Sequence, residues 1–274
     1  MQISVIVSVY RDVEGLAAIV RALEAQTDTD FELIISEDGE SVEMAQFVAT
    51  LSRARLIHSF QPDIGWRKNK ALNNAIRKAS GDYLIFIDGD CVPHPRFVES
   101  YRKIARVGEI ASGRRVMLGA GYSQCLRQEK ITTKVISSSY LVRVFPLLWD
   151  KAKALEEGLY FSERGIFSAL SRRPMRDVLG CNFGVHRTAL EAINGFDEDY
   201  VGPGAGEDND IRWRLVKNGV KLVSSRNMAI LYHLEHRKTK TSDANYPLMQ
   251  RKQQEGCVRC QHGLLDLSAE SQSV

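Results

Sequence analysis

Short apolar runs alternate with helical repeats along the first part of the chain. Runs rich in valine, isoleucine and leucine predict four strands, at residues 3–9, 31–36, 54–60 and 84–87. Apolar residues spaced three and four apart predict helices between these strands, at residues 14–25, 42–51 and 68–79. Because strands that alternate with helices form doubly wound parallel sheets, we expect residues 1–110 to form a Rossmann-like α/β half.

The same kind of pattern returns near residue 179. It predicts a strand, two helices and two further strands, at residues 180–185, 187–193, 208–217, 221–224 and 228–234. We therefore expect one continuous domain in four parts. These are the first half at 1–110, a basic helical segment at 111–178, a second half at 179–240, and a C-terminal helix with a polar tail at 241–274.

The middle segment has a different composition. Residues 114–178 hold twelve Lys or Arg against six Asp or Glu, with aromatic residues interleaved. Solvated amphipathic helices or a lid would explain this composition. The alternative is a surface that binds an acceptor or faces a membrane, because arginine and lysine attract phosphates and anionic head groups.

Composition and charge narrow the class of protein. The 274 residues are 44% hydrophobic and 26% charged, as in ordinary globular proteins, and the net charge of +3 gives no argument for a nucleic-acid partner. The first ten residues predict a strand and not a signal peptide. No apolar run approaches the roughly 20 residues that span a bilayer. Five cysteines, an odd number, favour a reducing compartment, so we expect a cytoplasmic protein with peripheral contact to the inner face of the membrane as an alternative.

The fourth predicted strand ends abruptly in two carboxylates, Asp88 and Asp90, around Gly89. Aspartate and glycine are common in turns, so a polar turn is one interpretation. A divalent cation with a bound phosphate is the other, because ligands lie at the carboxyl ends of strands in α/β sheets. Two further polar loops follow strands, at residues 10–12 and 37–39, and are expected at the same edge.

A second acidic cluster follows a glycine-rich loop at residues 202–206. Acidic residues in a first helical turn suit the helix dipole, so capping is one explanation of Glu207 and Asp208. Asp208, however, shares a helix face with Ile211 and Leu215, which predicts an inward carboxylate. Such a carboxylate is a candidate general base.

These residues together resemble the inverting glycosyltransferases of family 2, which have the GT-A fold, and the second half resembles a galactosyltransferase-like segment. A lone Asp-x-Asp is weak evidence, but the motifs occur in the expected order over residues 1–110 and about 179–240. They are Val5-Ile6-Val7-Ser8-Val9-Tyr10, Ser36-Glu37-Asp38-Gly39, Gly65-Trp66-Arg67 with Lys70 and Asn73, Asp88-Gly89-Asp90, Asn194-Gly195-Phe196-Asp197, Gly206-Glu207-Asp208 and His233-Leu234-Glu235-His236.

The resemblance implies a UDP-sugar as the donor substrate. Tyr10 would lie against the uracil ring, Asp38 would accept its N3–H, and Asp88 would lie near the ribose. Arg67 and Lys70 would neutralise phosphate charge. The remaining positions assigned to the nucleotide site are Val9 and Gly89.

The resemblance also implies a metal and a base. Asp90 and Asp88 would bind Mn²⁺ or Mg²⁺ together with His233 or His236. Since residues three apart on a strand point to opposite faces, only one of the two histidines is expected to reach the metal. Asp208 would deprotonate the acceptor hydroxyl, and Glu207 would hold the acceptor or the donor sugar.

Two departures leave the acceptor open among a polysaccharide, a lipopolysaccharide and a glycolipid. The glycine loop at 202–206 lacks the tryptophan frequent in the family, and the helix that follows Arg67 carries Leu72 where arginine is usual. A nucleotidyltransferase that makes sugar nucleotides and a non-catalytic nucleotide-binding module are the competing functions. The first would need a glycine- and arginine-rich loop after strand one, and residues 10–15 do not form one.

Overall fold

The computed structural model describes residues 1–162, 173–204, 206–236 and 243–268. Within these ranges a seven-stranded sheet has the order β3-β2-β1-β4-β8-β6-β9, and a three-stranded sheet has the order β5-β10-β7. The strands are β1 (Ile3–Val9), β2 (Glu32–Glu37), β3 (Leu56–Ser59), β4 (Tyr83–Asp88), β5 (Cys91–Pro93), β6 (Glu109–Ser112), β7 (Arg115–Met117), β8 (Asn182–His186), β9 (Lys221–Ser224) and β10 (Leu231–His233).

The helices pack on both faces of the large sheet. They are α1 (Val13–Glu24), α2 (Val42–Ala49), α3 (Lys68–Lys78), α4 (Phe97–Ile104), α5 (Ala120–Arg127), α6 (Thr133–Ser138), α7 (Tyr140–Trp149), α8 (Arg187–Ala192), α9 (Asp208–Lys217) and α10 (Asn245–Gln254). Strand β1 shows the two-sided core, because Val5 and Val7 join one apolar cluster with α1, α2 and α4. Ile6 points the other way and joins a second cluster with α3, α8 and α9.

The predicted fold class is confirmed. Strands β3, β2, β1 and β4 are mutually parallel, as the strand–helix alternation predicted. Strand β8 runs antiparallel to both β4 and β6, so the sheet is largely and not wholly parallel. The predicted elements of the first half recur within a few residues of their expected bounds, because each has a strong local apolar period.

The small sheet was not predicted as a unit. Strand β10 lies between β5, to which it is antiparallel, and β7, to which it is parallel. Pro93 ends β5 at the sheet edge, where a missing backbone N–H costs no ladder bond. This sheet brings His233 opposite Cys91, directly after Asp90.

The middle segment is helical and also contributes strands. Residues 120–149 form α5, α6 and α7, and a 3₁₀ turn follows at Leu155–Gly158. Strands β6 and β7 also extend into this segment, which the predicted boundary at residue 110 did not anticipate. Phe167, one of its interleaved aromatics, lies outside the described residues, as do Ala205 of the glycine loop and residues 269–274 of the polar tail. Among the described residues, no helix has the length and apolar character required to cross a membrane.

His94, just after β5, makes a testable contribution to stability. Its ring stacks on Tyr160 with centroids 5.3 Å apart, and its Nδ1 accepts the Arg96 backbone N–H at 3.0 Å. Burial lowers the pKa of His94 from 6.5 to about 4, and the nearby Arg96 charge acts in the same direction. As the pH falls from about 7 to about 4, the imidazole therefore takes up a proton in the unfolded chain but stays neutral in the folded chain.

We expect the free energy of unfolding to fall by about 3 kcal/mol, through His94 alone, as the pH is lowered from about 7 to about 4. In the variant His94→Asn the contribution is absent. Denaturant unfolding of the wild type and the variant, near pH 7 and near pH 4, measures this contribution. The effects of other titrating groups cancel when the unfolding free energies of the two proteins are subtracted at each pH. A difference in unfolding free energy that stays constant with pH would contradict the assignment.

Candidate active site

A cleft of about 440 Å³ opens at the carboxyl ends of β1, β2 and β4. It brings together residues from the ends of different strands and from the loops that follow them. They are Ser8, Val9, Tyr10, Asp12, Asp38, Gly65, Trp66, Lys68, Asp88, Gly89, Asp90 and His236. The loops at residues 10–12, 37–39 and 88–90 thus meet at one edge, as predicted from strand direction. We call this the donor cleft.

Asp38 forms the floor of the donor cleft. One of its carboxylate oxygens accepts the Arg67 backbone N–H at 2.8 Å, and the other accepts the Gln61 side-chain amide at 2.8 Å. Burial raises the pKa of Asp38, while these two hydrogen bonds oppose the shift. The carboxylate is therefore oriented by the loop opposite and keeps lone pairs for a ligand in the cleft.

Tyr10 and Trp66 supply the aromatic surfaces of the same cleft. Tyr10 is about half exposed, and its hydroxyl donates to Asp63 at 3.2 Å. The Arg11 guanidinium binds the same carboxylate at 2.6 Å. Gly39 lies under the tyrosine ring, because a Cβ there would be 3.7 Å from two ring carbons. Gly39 thus packs against the Tyr10 ring, and the Arg11 guanidinium carbon lies 5.0 Å from the ring centroid.

The turn between Asp88 and Asp90 has no room for a larger residue than Gly89. A Cβ on Gly89 would lie 2.9 Å from the Ser8 carbonyl oxygen and 2.9 Å from Val9. The Gly89 N–H donates to the same Ser8 carbonyl at 2.7 Å. The turn is therefore locked against β1, and this sends the two carboxylates to different partners.

Asp90 meets two histidines. Its Oδ2 lies 3.3 Å from His233 Nε2 and 2.9 Å from His236 Nε2. One ligand atom from each of the three residues lies within 4.8 Å of the others. In the described part of the chain, Asp88 is not drawn into this cluster and instead binds Lys68.

The expectation that the two histidines face opposite ways is wrong, because β10 ends at His233. After the strand, the Leu234 N–H donates to the Asp90 carbonyl and the Glu235 N–H donates to Ser123 Oγ. These bonds turn the chain so that His236 returns to Asp90. The strand period therefore does not apply beyond His233.

One carboxylate and two imidazoles form a donor set that suits a divalent first-row transition metal better than Mg²⁺, which prefers oxygen ligands alone. Burial acts to raise the pKa of Asp90, but hydrogen bonds from His233 and His236 outweigh it and hold the pKa well below the usual carboxyl range. An ionised Asp90 is the form that binds a cation. The residues present therefore fit a metal.

Lys68 connects the donor cleft to the acidic end of α9. Its Nζ lies 2.6 Å from Asp88 and 2.5 Å from Glu207, with the three side chains largely shielded from solvent. Burial alone would lower the pKa of Lys68, but the two carboxylates hold it well above its usual value. Burial raises the pKa of Glu207 to about 7, with Lys68 opposing the shift and Asp88 adding to it.

The sequence interpretation named Arg67 and Lys70 and missed Lys68. Arg67 lies at the cleft only through its backbone N–H to Asp38, because its guanidinium donates to the Trp66 carbonyl. Lys70 is exposed and does not line the donor cleft. Nothing in the spacing of Lys68 and Lys70 distinguishes them, since both lie in the first turn of α3. The direction of each side chain depends on how the helix docks on β1 and β2.

Asp208 begins α9 beside Glu207. Its Oδ2 accepts the Gly180 N–H at 3.3 Å, and a Cβ on Gly180 would lie 2.9 Å from Glu207 Oε1. Gly206 has a φ of +109°, and a Cβ at this position would lie only 2.3 Å from the Tyr200 ring, so only glycine fits there. The half-buried position of Asp208 agrees with the inward direction predicted from the buried Ile211 and Leu215.

A buried network fixes this acidic loop to α3. Asn69 donates to the carbonyls of Asp197 and Gly206 at 2.8 and 3.0 Å. Arg214 and Asp210, four residues apart on α9, form a buried ion pair of 2.6 Å, and Arg214 also binds the Gly195 carbonyl. The four-residue spacing could have signalled the pair, but not its burial.

A second cleft of about 850 Å³ reaches His233 and His236 from another side. It is lined by Arg115, Met117, Leu118, Gly119, Ala120, Trp149, Asp150, Lys151, Lys153, His233, Glu235 and His236. The Arg115 guanidinium binds the Cys181 sulfur at 2.7 Å, next to Gly180 and Asp208. The two clefts therefore share His236 and converge on the metal-binding candidates.

Two family models match the chain. The model for glycosyl transferase family 2 matches residues 4–192. The model described as the N-terminal domain of galactosyltransferase matches residues 166–237. Together the matches extend from β1 to just beyond His236.

Curated relatives are glycosyltransferases of greater length. The chain is 26% identical over 251 residues to the validoxylamine A glucosyltransferase of Streptomyces hygroscopicus subsp. jinggangensis, covering 89% of this chain and 57% of the relative. It is 24% identical over 240 residues to the chondroitin synthase of Escherichia coli, covering 85% of this chain and 34% of that protein. The chain thus spans about half, or less, of the length of these relatives.

Solved structures agree in fold. S. aureus TarS 1–349 in complex with UDP-GlcNAc has a TM-score of 0.60 at 14% identity, covering 99% of this chain and 70% of that one. The mannosyltransferase PcManGT from Pyrobaculum calidifontis, solved with GDP-Man and Mn²⁺, has a TM-score of 0.54 at 12% identity, covering 91% and 68%. Because the family 2 model matches well over half of the chain, and the sheet matches GT-A structures, the chain belongs to glycosyl transferase family 2 and has the GT-A fold.

Proposed function

We propose that this protein is a metal-dependent, inverting glycosyltransferase that moves a sugar from a UDP-sugar to a hydroxyl of a glycan or glycolipid. The proposal depends on one observation: Asp38, the Asp88–Asp90 turn and the two histidines meet at one cleft. Lys68 connects that cleft to Glu207, which is followed by Asp208. A base pocket, a cation site and a carboxylate base are thereby contiguous.

The donor cleft supplies the nucleotide contacts. Tyr10 stacks on the uracil, and Asp38 accepts the N3–H with the carboxylate that Arg67 and Gln61 orient. Asp88 lies at the ribose, with Lys68 neutralising its charge. Val9 and Gly89 form the wall, and Gly89 lets the Asp88–Asp90 turn pack directly against Ser8 and Val9.

Asp90, His233 and His236 would hold the cation, and the donor set favours Mn²⁺ over Mg²⁺. When bound, the cation neutralises the diphosphate and serves as the Lewis acid for the departing UDP. The hydrogen bonds that bring His236 back to Asp90 keep the three ligand atoms convergent in the free protein.

Asp208 carries the proton transfer. Its carboxylate takes the proton of the acceptor hydroxyl while the oxygen attacks the anomeric carbon and the bond from that carbon to the UDP oxygen breaks. Attack from the face opposite UDP inverts the configuration. The Gly180 N–H steadies one oxygen of Asp208, and Glu207, tied to Lys68, holds the sugar or the acceptor. The acceptor approaches through the second cleft, which reaches the two histidines beside Arg115.

One assay tests the proposal against its competitors. The protein is incubated with Mn²⁺ and a panel of UDP-sugars, and UDP release is followed. Slow UDP release without an acceptor, abolished by a chelator, is the expected result. Pyrophosphate release from UTP and a sugar phosphate would identify a nucleotidyltransferase instead. Tight UDP binding without turnover would indicate a binding module.

Lys68 should control the pH dependence of transfer. In Lys68→Met, Glu207 loses the cation that opposes the effect of burial, so its pKa rises above about 7. If ionised Glu207 binds substrate, the acid limb of the pH–rate profile moves to higher pH. Lys70→Met is the matched control, since Lys70 is exposed on the same turn of α3. Equal profiles for the two variants would refute a role for Lys68.

A further inference from the structure

Helix α7 presents a large apolar face to solvent. Leu141, Val142 and Phe145 are 73%, 79% and 73% exposed, and Trp149 is 90% exposed. At 100° per residue these side chains share one side of the helix. Single exposed apolar residues are ordinary, whereas a contiguous set marks a site of contact.

The opposite side of α7 is anchored in the protein. Tyr140 and Leu147, seven residues apart, are buried in the main apolar cluster, and the Tyr140 hydroxyl donates to the Leu155 carbonyl at 2.7 Å. These contacts anchor one side of α7 to the rest of the protein, so the opposite side is the one exposed to solvent.

The segment that carries this apolar face is rich in basic residues. Residues 130–153 contain five Lys or Arg and one acid, Asp150. The Asp150 carboxylate accepts the N–H groups of Gly121 and Tyr122 at 2.8 Å each, at the start of α5. Lys151 and Lys153 follow the helix directly and form no ion pair with a described residue. An apolar stripe with Trp, Phe and Leu beside lysines is the composition of a helix that lies in the headgroup region of an anionic membrane.

We propose that α7 docks this protein on an anionic membrane surface. A second copy of the chain fits the face less well, because one side of this helix is about 15 Å long and 10 Å wide, small against the roughly 800 Å² that each partner of a stable dimer buries. Trp149, Lys151 and Lys153 also line the second cleft, so docking opens that cleft toward the headgroups. The docking itself does not rest on the proposed reaction.

Sedimentation with lipid vesicles tests this proposal without any measurement of activity. The wild-type chain should bind vesicles made of an equal mixture of phosphatidylglycerol and phosphatidylcholine. It should bind less to vesicles of phosphatidylcholine alone, and less to the mixed vesicles at high salt. The double variant Val142→Gln, Phe145→Gln removes two apolar contacts from the exposed face. We expect its partitioning to fall about 100-fold, since each of the two buried side chains contributes roughly a factor of ten.

The matched control is the double variant Val42→Gln, Val107→Gln, which removes two exposed apolar side chains outside α7. It should bind vesicles as the wild type does. Thermal unfolding followed by circular dichroism confirms that both variants are folded. Lys151→Gln with Lys153→Gln should weaken binding to the mixed vesicles only.

Three results would overturn the proposal. One is a wild-type chain that stays in the supernatant with the mixed vesicles. Another is equal vesicle binding by the α7 variant and the wild type. The third is a wild-type dimer in analytical ultracentrifugation that the α7 variant converts to a monomer, which would identify the face as an interface between copies.

Discussion

Replacing Asp208 by asparagine is expected to lower sugar transfer by about 10²–10⁴-fold, the range for loss of a general base. Asparagine keeps the size of the side chain and its acceptor oxygen toward the Gly180 N–H, but cannot take a proton from the acceptor. Asp208 does not line the donor cleft, and Lys68 and Glu207 lie between it and the nucleotide contacts. UDP binding should therefore be unchanged. The loss should therefore appear in kcat with UDP affinity retained.

Calorimetric titration of UDP with Mn²⁺ and a steady-state transfer assay together measure this split. Asp177→Asn, an exposed aspartate outside both clefts, is the matched control and should retain activity. If Asp208→Asn weakened UDP binding as much as it slowed transfer, Asp208 would belong to the donor site and would not be the base.

Replacing Asp90 by alanine should weaken Mn²⁺ binding by at least about 100-fold, because loss of even an outer-shell partner costs 10–100-fold. The change also removes the acceptor that holds the Nε2 atoms of both histidines. UDP binding in the presence of Mn²⁺ should fall to the level that the wild type shows with a chelator. Transfer is lost with it, so the pattern differs from that of Asp208→Asn.

The histidine variants refine the metal assignment. Because both rings converge on Asp90, His233→Ala and His236→Ala should each weaken Mn²⁺ binding. Asp88→Asn should leave Mn²⁺ affinity nearly unchanged, since Asp88 binds Lys68 and lies outside the described three-residue cluster. Equal losses for Asp88→Asn and Asp90→Ala would show that Asp88 is also a ligand.

Rigidity explains how these residues keep their places before any ligand binds. Gly89 locks the Asp88–Asp90 turn against β1, and Asn69 ties α3 to the glycine loop before Glu207. The buried Asp210–Arg214 pair fixes the first turns of α9. Removal of one partner from a buried pair is strongly destabilising, so this network acts as the frame of the site.

Local periodicity was enough to predict the strands and helices of the first half, the largely parallel sheet and the gathering of its polar loops at one edge. These features depend on residue spacing of two, three or four, and on the fixed direction of strands. The family motifs extended the prediction to Asp38, Asp90 and Asp208, since each belongs to a short run that is informative without its neighbours.

Contacts between distant segments decided the rest. Lys68 and Lys70 are equivalent in the sequence, and only the docking of α3 directs Lys68 to Asp88 and Glu207. His233 and His236 converge because Asp90 and Ser123 bond the chain just past β10, over separations of more than 100 residues. The sequence predicted amphipathic helices in the middle segment, and only the packing of Tyr140 and Leu147 reveals which apolar side chains of α7 remain outside. Sequence spacing determines which side chains share a face, whereas the tertiary structure determines what that face meets.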